Sequence, residues 1–148
     1  MPARGPVERP WREPPDRGRP LDDASVDLVV VHGAWNLVRS AAGLRRAIAG
    51  ASPVAGPGAG SFVYTFSRAT LAPGASPVPE ESFVFTRFAG GPQGFLTEAE
   101  LRTLLLRAGI EEDPPGPLTE YNRPVAGLAR TRGGPVILEG TLRTVRHP

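Results

Sequence analysis

Val26-Asp27-Leu28-Val29-Val30-Val31 is a short, nearly continuous apolar run rich in β-branched residues. Such a run suits a strand buried on both faces, as in a parallel sheet covered by helices. It ends at His32-Gly33, and the spacing then changes. From Ser40 to Gly50 the apolar residues Ala41, Leu44 and Ile48 recur three and four apart while Arg45 and Arg46 point away, which predicts a helix closed by Gly50. Ser61 to Ser67, carrying Phe62, Val63, Tyr64 and Phe66, predicts a second strand. Residues 69–94 show little periodicity and contain Pro73, Pro77, Pro79 and Pro92, with Ser82 to Thr86 as a short edge strand inside them. A second helix is expected from Glu98 to Ala108. Thr97 and Glu100 form a capping-box pair before it, Leu101, Leu104, Leu105 and Ala108 form its apolar stripe, and Gly109 stops it. A Pro-rich loop and a last strand, Pro135 to Arg143, complete the pattern.

The order strand, helix, strand, long loop, helix, loop, strand indicates an α/β sheet. Three main strands are fewer than an open parallel sheet normally has, so the pattern reads as part of a fold.

Composition narrows the function classes. A chain of 148 residues suffices for one compact domain. Glycine and proline number 18 each, and the prolines are dense in residues 1–20, where Arg4, Arg9, Arg12, Arg17 and Arg19 alternate with them. That segment has too little apolar surface to offset its ordering entropy, so residues 1–20 are expected to be a disordered tail and 21–148 the folded unit. No apolar run approaches the ~20 residues of a membrane helix, and Met1 to Pro20 holds no secretory apolar stretch, so a cytoplasmic location is expected. Cysteine is absent, which removes disulfides, thiolate zinc sites and a cysteine nucleophile.

All 17 basic residues are Arg, and the net charge is only +2. The pI of 9.9 therefore reflects groups that never deprotonate, not a dense positive field. Nucleic acid is not an expected partner. A Walker loop would need a lysine, no Gly-x-Ser-x-Gly elbow occurs, and His32 and His147 are too far apart in sequence to suggest a metal pair, so no metal site is expected.

Arg19-Pro20-Leu21-Asp22-Asp23-Ala24-Ser25-Val26-Asp27-Leu28-Val29 resembles the run that leads into the fourth strand of class I S-adenosylmethionine-dependent methyltransferases, with Val26 where the family usually has Phe. Pro57-Gly58 before Ser61-Phe62-Val63-Tyr64 is similar to the family's Pro-Gly turn into its fifth strand, without the Leu-Lys that precedes it there. Thr97-Glu98-Ala99-Glu100-Leu101, running on to Ala108-Gly109-Ile110, is similar to the helix that follows. The resemblance covers roughly residues 19–145. It implies a partial Rossmann-like methyltransferase fold, the second half of the sheet, and S-adenosyl-L-methionine as cofactor.

The family holds that cofactor mainly through its first half, by a Gly-rich turn and an acidic residue on the ribose. No residues before Asp22 would form those two strands. The resemblance therefore implies a carboxyl-terminal half-domain that is inactive alone. Gly56-Pro57-Gly58-Ala59-Gly60 has the spacing of the Gly-rich turn, but a helix precedes it and a strand follows, the inverse of the required context.

Ligands of open α/β sheets sit beyond the carboxyl ends of the strands, so the residues there are the candidates. By resemblance, His32 and Gly33 would touch the cofactor's methionine end, and Trp35, Asn36, Tyr64 and Arg68 would face the substrate. His32 would serve as a general base, its ordinary pKa being near neutrality; alternatively it caps the strand and Trp35 packs. Glu120-Tyr121-Asn122-Arg123, between Pro117 and Pro124, is either a solvated loop or a cluster in which Asn122 and Arg123 close over the substrate, Arg123 gripping a carboxylate or phosphate. The expected function is methyl transfer to an unknown acceptor. The alternatives are a non-catalytic half-domain that pairs with a second chain completing the sheet, and a Rossmann-like domain using a nicotinamide cofactor.

Overall fold

The computed structural model describes residues 21–88, 91–114, 116–123 and 134–145. The expected tail, 1–20, lies outside the described residues, as does His147. The elements are β1 (Val26–His32), α1 (Ala41–Val54), β2 (Ala55–Phe66), β3 (Val84–Phe88), β4 (Gly91–Gly94), α2 (Glu98–Arg107), β5 (Ile110–Glu112), β6 (Thr119–Tyr121) and β7 (Ile137–Thr144). Two 3₁₀ turns, Ala34–Leu37 and Arg68–Thr70, follow β1 and β2.

The main sheet runs β1-β2-β7-β5, with β6 also paired to β7. Only β1 and β2 are parallel; every pairing to β7 is antiparallel, so the sheet is mixed. β3 and β4 form a separate two-stranded sheet, so the edge strand expected at Ser82–Thr86 exists but pairs outside the main sheet.

Both helices start on satisfied N-termini. Ser40 Oγ accepts from Gly43 N at 3.0 Å, and the carboxylate of Glu81, forty residues on, accepts from Ala41 N at 2.6 Å. The capping box of α2 is formed in both directions between Thr97 and Glu100, and Gly109 adopts φ 72° after it. α1 does not stop at Gly50. One interior glycine costs a helix only about 1 kcal/mol, and α1 continues until Pro53, which has no N–H to extend the ladder, sits in its last turn.

β2 begins at Ala55, six residues earlier than expected. Val26 faces Ala55 but Leu28 faces Gly60, so β2 spends five residues where β1 spends two. Gly58, at φ 81°, permits this excursion. The turn expected before the strand is thus a bulge inside it.

Leu44 and Ile48 of α1 and Leu101, Leu104 and Leu105 of α2 pack in one cluster with Val31, Val63, Leu138, Leu142 and Ile110 of the sheet. Register puts Val29, Val31, Ser61, Val63, Thr65, Leu138 and Leu142 on that helix-covered face. The opposite face carries Leu28, Val30, His32, Phe62 and Tyr64. There the expectation of a strand buried on both faces fails: Leu28 is 61% exposed and Val30 60%. β1 is an edge strand with one open face, because no described element lies beyond it or over it.

The Pro-rich loop after α2 contains β5 and β6, each of three residues and held by pairing to β7. Arg102 ties α2 to β5 through a two-pronged contact with Glu112, Nε at 3.0 Å and Nη2 at 2.9 Å, and also bonds Glu98. The hydrogen bonds from Arg102, joined by Leu118 N at 2.7 Å, hold the Glu112 carboxyl below its ordinary range despite partial burial. Among the described residues no helix is long and apolar enough to cross a membrane.

Candidate functional site

β1 and β2 run in the same direction, so their carboxyl ends lie side by side and the segments that follow share one end of the sheet. His32 and Tyr64 are register partners. Their rings stack at 4.3 Å, 8° from parallel, on the open face. Gly33 then turns the chain at φ 74°, a conformation that favours glycine, and its N–H donates to Tyr64 O at 2.8 Å. The end of β1 thus presents a flat aromatic pair beside a backbone without a side chain.

Trp35 and Asn36 lie in the 3₁₀ turn and point inward, 6% and 3% exposed. Asn36 Oδ1 accepts from Thr65 Oγ1 at 2.5 Å and from Phe66 N at 2.7 Å, which fastens the turn to the end of β2. Both therefore position the turn from beneath. Gly94 of β4 crosses that turn closely: a Cβ there would sit 3.1 Å from Trp35 O and from Val38 Cγ2.

Arg68 is held through Nη2, while its Nε is buried without a hydrogen-bond partner. It pairs with Glu100 at 2.7 Å, donates to the carbonyls of Ser82 and Phe95 at 3.2 and 3.3 Å, and lies 5.1 Å over the Phe85 ring. It joins the end of β2 to the start of α2 and to the β3–β4 unit. Ser67 Oγ donates to Glu120 Oε1 at 2.5 Å, and Glu120 also accepts from Arg123 Nε at 2.6 Å. The polar cluster 120–123 is thus partly a strand, β6, fastened to β2 through Ser67. Asn122 is exposed, at φ 62°, and donates to Pro135 O at 3.3 Å. The structure brings Arg68 and Arg123 to one hollow of about 470 Å³, and His32 and Gly33 to Tyr64. It keeps Trp35 and Asn36 in the interior.

A second hollow, of about 750 Å³, opens between the turn after β1 and the first two turns of α1. Arg39 and Arg46 line it, with Gly43 between them. The signal for it is visible in the sequence as cation, glycine, cation at i, i+4 and i+7, but Arg46 there reads simply as a solvent-facing side chain. Among the described residues no group of three or more His, Asp or Glu side chains could hold a metal ion.

No protein-family model matches the chain, and no curated protein sequence does. Solved structures do. A S-adenosylmethionine-dependent methyltransferase from Methanosarcina mazei superposes with a TM-score of 0.60 at 20% identity, over 88% of this chain and 64% of that one. The 1,6-didemethyltoxoflavin-N1-methyltransferase of Burkholderia thailandensis, solved with 1,6-didemethyltoxoflavin and S-adenosylhomocysteine bound, gives 0.56 at 18% identity, over 84% of this chain and 46% of that one. A S-adenosylmethionine-dependent methyltransferase from Mesorhizobium loti gives 0.56 at 18% identity, over 83% and 63%. The chain therefore has a class I methyltransferase-like α/β fold, and it spans less than two thirds of the length of each of these structures.

Proposed function

We propose that this chain forms the carboxyl-terminal half of a cytoplasmic S-adenosylmethionine-dependent methyltransferase domain, transferring a methyl group to an acceptor bound beyond the ends of β1 and β2. The observation that carries the reading is the superposition on methyltransferases over 88% of the chain. The cofactor, when bound, supplies an electrophilic methyl group on a sulfonium. The chain's own part is to position and to exclude water. Gly33, with no side chain, leaves room for a ligand to approach the backbone, and the His32–Tyr64 pair offers a flat aromatic wall beside it. His32, exposed at the strand end, would accept a proton from an acceptor nucleophile.

These residues fit one wall of a cofactor site. The Gly-rich turn and ribose-binding acid that the resemblance calls for are not among the described residues. The remainder of the sheet would come from further polypeptide, in the same gene product or in a second chain. The 148-residue chain alone is then expected to transfer no methyl group and to gain no thermal stability from S-adenosylhomocysteine. The complete assembly should gain about 2.7 kcal/mol at one hundred times Kd. Stabilisation of that assembly by a nicotinamide cofactor instead would overturn the reading.

A second reading starts from the exposure of Leu28 and Val30 on a strand with a free edge. In it the half-domain is non-catalytic and binds a partner that adds a strand to β1 and covers the open face. It predicts a stable complex of defined size with no affinity for S-adenosylhomocysteine.

A further inference from the structure

The hollow between the turn after β1 and the start of α1 combines two features that seldom coincide on an unused surface. Its walls are largely apolar: Ala34, Val38 and Leu37, the last 68% exposed although it is a large hydrophobic residue. Arg39 and Arg46 are also among its lining residues, and neither is in an ion pair among the described residues. Arg68, Arg102, Arg123 and Arg143 all have carboxylate partners. Arg39 and Arg46 stand on either side of Gly43 in the chain, and Arg39 Nη1 reaches toward β4, 3.7 Å from where a Cβ on Gly91 would stand. Glu81 Oε2 accepts from Ala41 N at this helix end, at 2.6 Å.

We infer that this hollow binds a small molecule with an apolar body and an oxyanion, a carboxylate or phosphate, held between Arg39 and Arg46. The volume lies within the range of small-molecule sites, and such sites pair apolar walls with a few orienting polar groups. Guanidinium groups match the geometry of these oxyanions and keep their charge at all working pH values. The hollow lies at the carboxyl end of β1, beside Gly33, where ligands of open α/β sheets bind. Calling this molecule the methyl acceptor rests on the proposed function; its binding does not.

The test uses the 148-residue chain and two probes of equal shape, 2-naphthoate and its neutral amide, followed by backbone amide NMR. Naphthoate should move the signals of residues 34–43 and bind at least tenfold more tightly than the amide. Arg39→Gln and Arg46→Gln should each weaken it at least fivefold, while Arg107→Gln, at the exposed end of α2, should leave it unchanged. Unperturbed amide spectra of the free variants show that they are folded. Equal affinity for the two probes, absence of shifts at residues 34–43, or unchanged binding by the Arg39→Gln/Arg46→Gln double variant would overturn the inference. Titration with S-adenosylhomocysteine is read separately, so failure of the methyltransferase reading leaves this result intact, and the reverse.

Discussion

The two faces of the main sheet are built from the same kinds of residue and meet different surroundings. On one, Val63, Leu138 and Leu142 lie under α1 and α2 with almost no exposure. On the other, Leu28 and Val30 stand in solvent beside the half-buried Phe62 and Tyr64. Apolar side chains occur on both, yet only one set is covered by the described chain. A strand that is apolar on both faces and paired on one edge leaves backbone groups and apolar side chains in solvent. The covered face accounts for stability, and the open one, on the proposed reading, is where further polypeptide would pack.

Leu138→Ala should show the largest effect. It removes a fully buried side chain from the centre of the sheet, and about 3 kcal/mol of unfolding free energy should go with it in urea melts. Leu28→Ala, on the open face, should cost less than ~1 kcal/mol in the isolated chain. A cost for Leu28→Ala equal to that for Leu138→Ala would mean that Leu28 is covered in solution, and would break the distinction between the faces.

Asn36→Ala comes next. It deprives both Thr65 Oγ1 and Phe66 N of their acceptor in the interior, and a loss of about 2 kcal/mol is expected. Asn36→Asp keeps an acceptor oxygen and should recover part of that loss. A neutral Asn36→Ala would show that the turn after β1 is not held from beneath.

The smallest effect concerns the exposed edge of the covered face. Glu112 has its folded pKa lowered chiefly by hydrogen bonds from Arg102. A depressed carboxyl contributes stability above its unfolded pKa and loses it as pH falls through the folded one. The contribution, below ~1 kcal/mol for so accessible a pair, should be full at neutral pH and should fade below the ordinary carboxylate range. Glu112→Gln should flatten that acid limb in melts between neutral pH and about pH 3. An unchanged limb would assign the pH dependence to other carboxylates.

How far the sequence could be read depended on the range of the interactions. The cap, stripe and stop of α2 occupy a single stretch of thirteen residues, and the structure has all three. The end of α1 was harder, because Gly50 is a permissive residue that stops a helix only when the chain beyond it turns away. β5 and β6 had no readable period in three residues each; they exist because β7 offers them a partner. For the candidate site, the strand ends were legible, and His32, Gly33 and Tyr64 do meet there. The environment of Arg68 was not, since its partners lie 14 to 32 positions away, at Ser82, Phe95 and Glu100.

The sequence by itself therefore determined the periodic elements and their alternation, because propensity, capping and hydrophobic spacing act over one or two turns of chain. Tertiary structure alone decided which apolar face is covered, that β7 enters antiparallel between β2 and β5, and which arginines are already paired. Those outcomes depend on what packs against a residue from far along the chain. A run such as Val26 to Val31 reads the same whether its second face is covered or bare.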